Sequence, residues 1–287
     1  MNTSTSFDIS PSRLRLKKAA RRVAVGLSKS LRLMDNSGER SVRVLTYHRF
    51  GYSRMDPFCL QPEAFEEQLD FLSEHSTVIT PDQFEAIMSG HLRAPVNAVL
   101  ISIDDGHESV AMHALPALNL RNLKAVLFVC PGLVGTRQAG QQGYGGFMDW
   151  DTLAGAAVDG HAIAAHGNSH RSLGRLPLTE AIADIDQAVE ALNDRLRIRS
   201  PFFSFPFGTR ADYSAELATA LAARNFRYCF TSMHGRCRPE SGSVLLPRIK
   251  IEGGNEEDLF PSIVRGAMDH WRFVDHALYH LQQRGRM

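Results

Sequence analysis

The sequence has few cysteines and no long apolar run, and each shortage limits what the chain can be. Four cysteines occur in 287 residues and none forms a CxxC pair, so we expect buried thiols, which is consistent with a reducing compartment. No 18 consecutive residues are all apolar, and we therefore expect no membrane-spanning helix. The pattern of a secretory signal is also missing. These absences predict a cytoplasmic location, with peripheral contact to the inner face of the membrane left open.

Basic residues are concentrated near the N-terminus. The net charge of the chain is +1, but residues 12–34 contain eight Lys or Arg and no acidic residue, which leaves 24 basic and 31 acidic residues elsewhere. A broad basic face is expected of a protein that binds nucleic acid, so the acidic remainder argues against that partner. With 44% apolar residues and a mean hydropathy of -0.19, the chain can bury a full core.

The basic segment has the periodicity of an amphipathic helix. Ser10 and Pro11 resemble a helix start, and residues 36–38 (Asn-Ser-Gly) resemble a helix end. Between them, apolar residues recur at steps of three and four, at Leu16, Ala20, Val23, Leu27, Leu31 and Met34. Such a helix either lies on an anionic membrane surface through residues 12–34, or packs on the rest of the protein with a solvated basic face.

After residue 40, short β-rich runs alternate with helical periodicity. The predicted strands are residues 43–47, 77–79, 98–103, 124–130, 161–165, 201–205, 228–231 and 245–251. The clearest helical stretch between them runs from Leu178 to Leu196 and keeps one apolar face. Seven or eight such alternations predict an α/β fold of parallel strands with helical crossovers. A closed barrel is favoured over an open sheet because no GxGxxG loop follows the first strand.

Candidate site residues lie at the ends of four of the predicted strands. They are Tyr47 and His48, Asp104 and Asp105, His166 with His170, and the Pro-Phe-Gly of residues 206–208. The carboxyl ends of parallel barrel strands open onto one face, so the four segments are predicted to converge. Two adjacent carboxylates resist joint ionisation, and a cation resolves that conflict. One Asp with the two histidines suits Zn²⁺ with positions left for water, and the other Asp can act as a general base.

These residues resemble the polysaccharide deacetylase family, the chitooligosaccharide deacetylase homology domain of carbohydrate esterase family four. The resemblance extends from residue 42 to residue 251, with blocks in the family's order: IDDG (103–106), AVLFVCPGLVG (125–135), FMDWDTL (147–153), DGHAIAAHGNSH (159–170) and FFSFPFG (202–208). LTYHRF (45–50) is similar to the opening strand of the circularly rearranged, poly-N-acetylglucosamine deacetylase-like branch. The resemblance implies a distorted (β/α)7-8 barrel of the polysaccharide deacetylase type. We assign this catalytic domain to residues 41–287, after a basic amphipathic segment of residues 1–40.

Carried over residue by residue, the resemblance implies three kinds of site residue. Asp104 would be the general base and His48 the acid that protonates the leaving amine, while the metal would be held by Asp105, His166 and His170. The substrate-binding residues would be Phe207 (through its backbone N–H), Trp150, Arg248 and Tyr47, and Arg248 is also a candidate to orient Asp104. Three positions depart from the family's pattern: Gly167 stands where Ser or Thr is usual, Ser204 where Arg is usual, and Phe207 where Tyr is usual.

The implied activity is metal-dependent removal of N-acetyl groups from an N-acetylated sugar or glycan, such as a lipid-linked or cell-surface polysaccharide precursor. The cofactor would be a divalent metal ion, Zn²⁺ first, with Co²⁺, Ni²⁺ or Fe²⁺ also compatible with the ligand set. Two alternatives remain open from the sequence. One keeps the site but changes the bond, to an O-acetyl group of a glycan or a formyl group of a lipid-linked amino sugar. The other is a non-catalytic glycan-binding protein on the same fold.

Overall fold

The computed structural model describes residues 11–30, 40–53, 56–137, 145–239, 244–253 and 259–277. Within these ranges the strands are β1 (Val42–Tyr47), β2 (Arg49–Phe50), β3 (Cys59–Leu60), β4 (Thr77–Val78), β5 (Ala98–Ile103), β6 (Ala125–Val129), β7 (Ala162–Ala165), β8 (Phe202–Ser204), β9 (Tyr228–Phe230), β10 (Leu245–Leu246) and β11 (Ile249–Lys250). Each run predicted from the sequence overlaps at least one of them.

The α-helices of the same ranges alternate with the strands. They are α1 (Pro11–Ser30), α2 (Pro62–His75), α3 (Pro81–Met88), α4 (Leu115–Leu120), α5 (Trp150–Val158), α6 (Leu178–Leu196), α7 (Ala215–Ala222), α8 (Phe260–Val264) and α9 (Arg272–Ala277). Local sequence explains where they begin. For example, Thr80 and Gln83 form a reciprocal capping box at the start of α3. The predicted helix from Leu178 to Leu196 is α6, with the same bounds.

Nine strands form one parallel sheet that curls into a half-barrel. Its order is β10-β9-β8-β7-β6-β5-β1-β11, with β4 beside β5. The predicted α/β barrel is therefore confirmed, and the structure shows in what way it is distorted. In the described ranges no ladder joins the two edge strands β10 and β11. The single strand predicted for residues 245–251 is interrupted between them at Pro247 and Arg248.

The two faces of the sheet bury different side chains, because successive residues of a strand point to opposite sides. The concave face carries a cluster that includes Val44, Leu100, Phe128, Ala164 and Phe230, together with Phe84 of α3. The opposite face carries a cluster that includes Leu45, Ile101, Leu127, Ile163 and Phe203, which packs with the helices. The strands are therefore apolar throughout, as is usual for a parallel sheet covered on both faces.

The same alternation continues past the carboxyl ends of the strands. His48 comes four residues after Val44, and Asp104 comes four residues after Leu100, so both share the concave parity. His166 comes two residues after Ala164 and has that parity as well. Polar residues that end three strands are thus directed toward one opening above the concave apolar cluster.

Helix α1 packs on the sheet through a face that the sequence reading did not select. Val25 enters the main apolar cluster, with only 2% of its surface exposed. The Arg21 guanidinium lies 3.1 Å from a Glu252 carboxylate oxygen, and the Ser28 hydroxyl donates to the Ala267 carbonyl. The expected apolar stripe is instead exposed at Leu16, Val23 and Leu27. That correction has a physical reason: the ion pair with Glu252 draws Arg21 inward and turns the stripe outward.

Other parts of the expectation for the N-terminal segment lie outside the described residues, namely Leu31, Met34 and the predicted helix end at residues 36–38. The proposed domain boundary after residue 40 stays a prediction. In the portion that is described, no helix is both long enough and apolar enough to cross a membrane. All four cysteines are buried and unbridged, as predicted.

Candidate functional site

The candidate site lies at the carboxyl ends of β1, β5, β7 and β8, the four places that the sequence predicted to converge. Asp105, His166 and His170 bring one carboxylate oxygen and two imidazole nitrogens within 4.8 Å of one another. The Asp105 Oδ1 atom lies 3.5 Å from His166 Nε2 and 3.2 Å from His170 Nε2. We call these three residues the ligand trio. Two imidazoles and one carboxylate with space left for water is a donor set that suits a catalytic zinc ion.

The tautomer of His166 also suits metal binding. Its Nδ1 atom lies 2.9 Å from the Ser204 carbonyl oxygen, which can only accept a hydrogen bond. The proton of a neutral His166 therefore resides on Nδ1, and the Nε2 lone pair faces Asp105. Metal-ligating histidines are commonly oriented in this way by a hydrogen bond to the other ring nitrogen. The donor set and this tautomer together fit a divalent metal ion.

The backbone is strained where the site residues project. Asp105, His170 and Phe207 have φ values of 73°, 54° and 62°, in the left-handed region, which is costly for residues with a Cβ atom. Such conformations persist where the surrounding structure holds them in place, and they cluster at functional sites. Here three of them occur at a single opening of the barrel.

The loop that carries the two histidines is held by Asp184 of α6. One carboxylate oxygen of Asp184 accepts the Asn168 backbone N–H at 2.7 Å, and the other accepts the Ser169 hydroxyl. Gly167 in this loop has a φ of +64°, and a Cβ atom there would lie 2.9 Å from Asp184 Oδ1. This explains why glycine occupies a position where the family usually has a hydroxyl residue: Asp184 fills that space, and the hydroxyl it binds comes from Ser169.

Asp104 is held by Arg248 through two parallel hydrogen bonds. Nη1 donates to Oδ1 at 2.8 Å and Nη2 donates to Oδ2 at 2.7 Å. The other donors of Arg248 bind the Thr231 carbonyl and the hydroxyls of Ser102 and Ser204. Burial alone would raise the pKa of Asp104, but the charge of Arg248, with a further contribution from His166, holds it below its usual value. The carboxylate is therefore ionised at neutral pH.

Arg248 also accounts for one departure from the family's pattern. Ser204 replaces the usual arginine, yet the guanidinium of Arg248 reaches the Ser204 hydroxyl from a different part of the chain. Arg248 is only 1% exposed, and its donors are taken up by protein groups. The expectation that it binds substrate is therefore corrected, whereas its position next to Asp104 is the one expected of an orienting residue.

A second arginine, Arg49, holds the ligand trio from the other side, and the sequence reading missed it. Its Nη1 atom donates to Asp105 Oδ2 at 3.2 Å, which leaves Oδ1 for the two histidines. Nε and Nη2 donate to the two carboxylate oxygens of Asp56 at 2.7 and 3.0 Å. Arg49 directly follows His48 in the LTYHRF segment, and this adjacency to a site residue was the available signal.

Burial and the neighbouring histidines both affect the pKa of Asp105. Burial would raise it, but the neighbouring His170 and His166 hold it well below the ordinary value. His48 lies near the same two carboxylates, and its ring packs on Phe58 with centroids 4.8 Å apart. Burial lowers the pKa of His48 to about 4, against the opposing effect of Asp105 and Asp104. His48 is therefore a neutral imidazole at neutral pH before any substrate binds.

The remaining predicted substrate-binding residues fall into two groups. The ring of Phe207 lies 4.8 Å from the ring of His170, at the site. Tyr47 is 1% exposed and its hydroxyl donates to Gln68, so the expectation that it contacts substrate is corrected. The reason is parity: Tyr47 points to the helix-covered face of β1, whereas His48 points to the concave face. Trp150 is partly buried, packing against the main apolar cluster and beneath the Arg195 guanidinium, and its contact with substrate stays a prediction.

Comparison with known families agrees with this geometry. Residues 92–226 match the family described as polysaccharide deacetylase. Over these residues, just under half of the chain, the sequence is therefore similar to the polysaccharide deacetylases, a family of hydrolases that act on carbohydrates. The matched range includes Asp104, the ligand trio and Phe207. It includes neither His48 nor Arg248, which the fold alone brings to the site. No curated protein sequence matches the chain.

Solved structures share the fold at low sequence identity. IcaB from Ammonifex degensii is 23% identical, with a TM-score of 0.69 over 80% of this chain and 97% of that one. The Streptococcus pyogenes deacetylase PplD is 18% identical, with a TM-score of 0.65 over 74% of this chain and 92% of that one. The de-N-acetylase from Aggregatibacter actinomycetemcomitans is 16% identical, with a TM-score of 0.64 over 77% and 99%.

The ligand trio predicts stoichiometric metal binding. Elemental analysis of the purified chain should give about one divalent ion per chain, since three good donors converge on one point. Asp105→Ala and His166→Ala should each lose this ion. Asp104→Asn and the exposed control His91→Ala should retain it. Full metal content in Asp105→Ala would contradict the assignment of the trio.

The contact between Gly167 and Asp184 makes a separate prediction. Gly167→Ala should lower the free energy of unfolding by more than the control Gly135→Ala, which has a φ of +72° but no neighbouring atom within 4 Å. The control measures the left-handed backbone cost alone, about 1–2 kcal/mol. Gly167→Ala should also weaken metal binding in a competition titration, because its clash lies in the loop that carries both histidines. Equal effects of the two substitutions would contradict this account.

Proposed function

We propose that the chain hydrolyses N-acetyl groups of an N-acetylated sugar or glycan, with a divalent metal ion bound by the ligand trio. The observation that carries the proposal is the position of Asp104. This ionised carboxylate is not one of the three ligands, and Arg248 holds it next to them. A carboxylate in that position can take the proton of an attacking water molecule. The shared fold with the Aggregatibacter de-N-acetylase supports the choice of an amide over an ester.

The chain's own residues divide the work of proton transfer and positioning. Asp104 accepts a proton from water, and Arg248 keeps both of its oxygens in a fixed orientation. Asp105, His166 and His170 would hold the metal, and Ser204 fixes the His166 tautomer through its carbonyl. A divalent ion bound by these ligands would supply Lewis acidity, polarising the acetamide carbonyl and lowering the pKa of water.

Two further residues are proposed to act on the atoms that change charge. The backbone N–H of Phe207, by resemblance to the family, would donate to the developing oxyanion. His48, at the concave end of β1, would give a proton to the departing amine. Because His48 starts neutral, it has to gain a proton within the catalytic cycle, and the proton that Asp104 removes from water is the available source. The products are then a free amine on the sugar and acetate.

The alternatives to N-deacetylation are of two kinds: cleavage of a different bond, or glycan binding with no bond cleaved. O-acetyl and formyl groups would use the same base and ligands, so the identity of the released acid distinguishes them. A non-catalytic glycan-binding protein would not need a positioned base, and the two hydrogen bonds from Arg248 to Asp104 argue against it. The metal identity, the glycan and a cytoplasmic location stay predictions.

Release of acetate tests the proposal directly. The metal-loaded chain is incubated with N-acetylglucosamine oligomers and with a glycolipid extract, with and without a chelator, and acetate and formate are quantified. Acetate release that stops with the chelator and returns with Zn²⁺ is expected. Asp104→Asn should lower turnover by about 10²- to 10⁴-fold and keep its metal. The exposed control Asp151→Asn should keep both its turnover and its metal.

Each contrary result has a defined meaning in this experiment. Formate in place of acetate would replace the N-acetyl proposal by the deformylase. Metal-loaded protein that binds the oligomers but releases neither acid would support a glycan-binding protein. Normal turnover by Asp104→Asn would remove Asp104 from the role of base. In Asp104→Asn, Arg248 loses its anionic partner, so the substitution can also destabilise the fold. A melting curve of each variant therefore distinguishes a loss of catalysis from a loss of folded protein.

The role of His48 needs its own test. His48→Gln should lower kcat by about 10²- to 10⁴-fold, because no acid then protonates the leaving amine. The variant should keep its metal, since His48 is not one of the three ligands. The same substitution at exposed His91 should leave kcat unchanged. A His48→Gln enzyme with kcat within about threefold of normal would mean that Asp104 alone both removes and returns the proton.

A further inference from the structure

Helix α1 has one face committed to the protein and one left exposed. The committed face is formed by Arg21, Val25 and Ser28, which bind Glu252, the main apolar cluster and the Ala267 carbonyl respectively. All three are at least nine-tenths buried. The helix is therefore held in a defined rotation about its axis, and the identity of its outward face follows from that rotation.

The outward face is apolar. Leu16, Val23 and Leu27 are 72%, 61% and 57% exposed. At 100° per residue these three side chains project within an arc of about 40°. They line one side of the helix from residue 16 to residue 27, on the side away from Val25. We call these three residues the outer stripe.

One flank of the outer stripe is basic. Arg15 and Arg22 are exposed and lie on the same side of the stripe, roughly 100–120° around the helix from its centre. Residues 11–30 contain seven Lys or Arg and no acidic residue. This combination of an apolar stripe beside cationic side chains is characteristic of helices that lie in the plane of a membrane interface. Arginine and lysine favour lipids with anionic headgroups.

We propose that the outer stripe and its basic flank bind the surface of an anionic lipid bilayer, with α1 parallel to the membrane plane. A second copy of the chain is a poorer occupant, because two α1 helices would bring like charges together. Nucleic acid is also a poorer occupant, because its phosphates would bind the basic side chains of α1 but leave the apolar outer stripe in water. The lipid interface satisfies both features at once.

The contacts of α1 relate this surface to the candidate site. Arg21 binds Glu252 and the Lys250 carbonyl, which are at the carboxyl end of β11. That end of the sheet is the one at which the ligand trio lies, because β11 runs parallel to β1. A bilayer bound to α1 would therefore be close to the edge of the barrel that opens on the site.

Co-sedimentation of the full chain with lipid vesicles tests the proposal. Vesicles of phosphatidylcholine mixed with phosphatidylglycerol are compared with vesicles of phosphatidylcholine alone, at low and high salt. The chain should sediment with the anionic vesicles, less so as salt rises. The triple variant Leu16→Gln, Val23→Gln, Leu27→Gln should lose at least tenfold in vesicle affinity. Arg15→Gln with Arg22→Gln should lose about fivefold per charge.

A matched control separates the outer stripe from surface hydrophobicity in general. Leu120 and Val158 are 81% and 87% exposed on other elements, so Leu120→Gln with Val158→Gln should bind vesicles as the unmodified chain does. All variants alter exposed residues outside the candidate site and should keep the melting temperature and the acetate release on soluble oligomers.

Several outcomes would overturn the proposal. It fails if the chain does not bind anionic vesicles, or if the triple variant binds them as well as the control. A stable dimer in light scattering that the triple variant loses, without vesicle binding, would assign the outer stripe to a second copy. Binding to nucleic acid that depends on Arg15 and Arg22 but not on the outer stripe would assign the basic flank to that ligand instead.

Discussion

The buried pair of Arg248 and Asp104 is the interaction on which both the barrel and the site depend. Arg248 interrupts the last predicted strand between β10 and β11, where the sheet fails to close, and its guanidinium lies above Phe128 and Phe230 of the concave cluster. A buried cation is tolerated only if its charge and its donors are satisfied. Here Asp104 supplies the charge, Ser102 of the same segment supplies one acceptor, and Ser204 and Thr231 supply acceptors from two other segments. The residue that orients the base thus lies in the interruption between the two edge strands of the open barrel.

Strand parity explains how an apolar sheet produces a polar site. The concave residues change from Val44, Leu100 and Ala164 to His48, Asp104 and His166 within four residues of chain. The change comes where the strands end, so the polar groups meet above the core. Asp105 has the opposite parity and reaches the histidines only because its φ of 73° departs from the extended conformation. Left-handed backbone at Asp105 is therefore part of what assembles the ligand trio.

Much of the fold and site could be predicted from the sequence because both depend on local patterns. The strands are apolar runs, and the candidate site residues at four strand ends mark the opening. Interactions between distant segments could not be predicted in this way. Arg49 pairs with Asp56, and Asp184 holds the histidine loop from α6. All three are buried, yet nothing in their spacing along the sequence distinguishes them from charged residues at the surface. Tyr47 was placed at the site because it adjoins His48, although strand parity sends adjacent residues to opposite faces.

The rotation of α1 shows why a periodic apolar stripe does not by itself identify the buried face of a helix. Burying the outer stripe would have removed three large apolar side chains from water, each worth roughly 1.5–3 kcal/mol. The observed rotation forgoes that gain and buries an ion pair, whose net contribution to stability is often small. The three apolar side chains of the outer stripe are left in water by this rotation, and the proposed lipid interface would bury them. The basic residues beside the outer stripe indicate a partner with negative charge, and a bilayer of anionic lipids offers both properties in one surface.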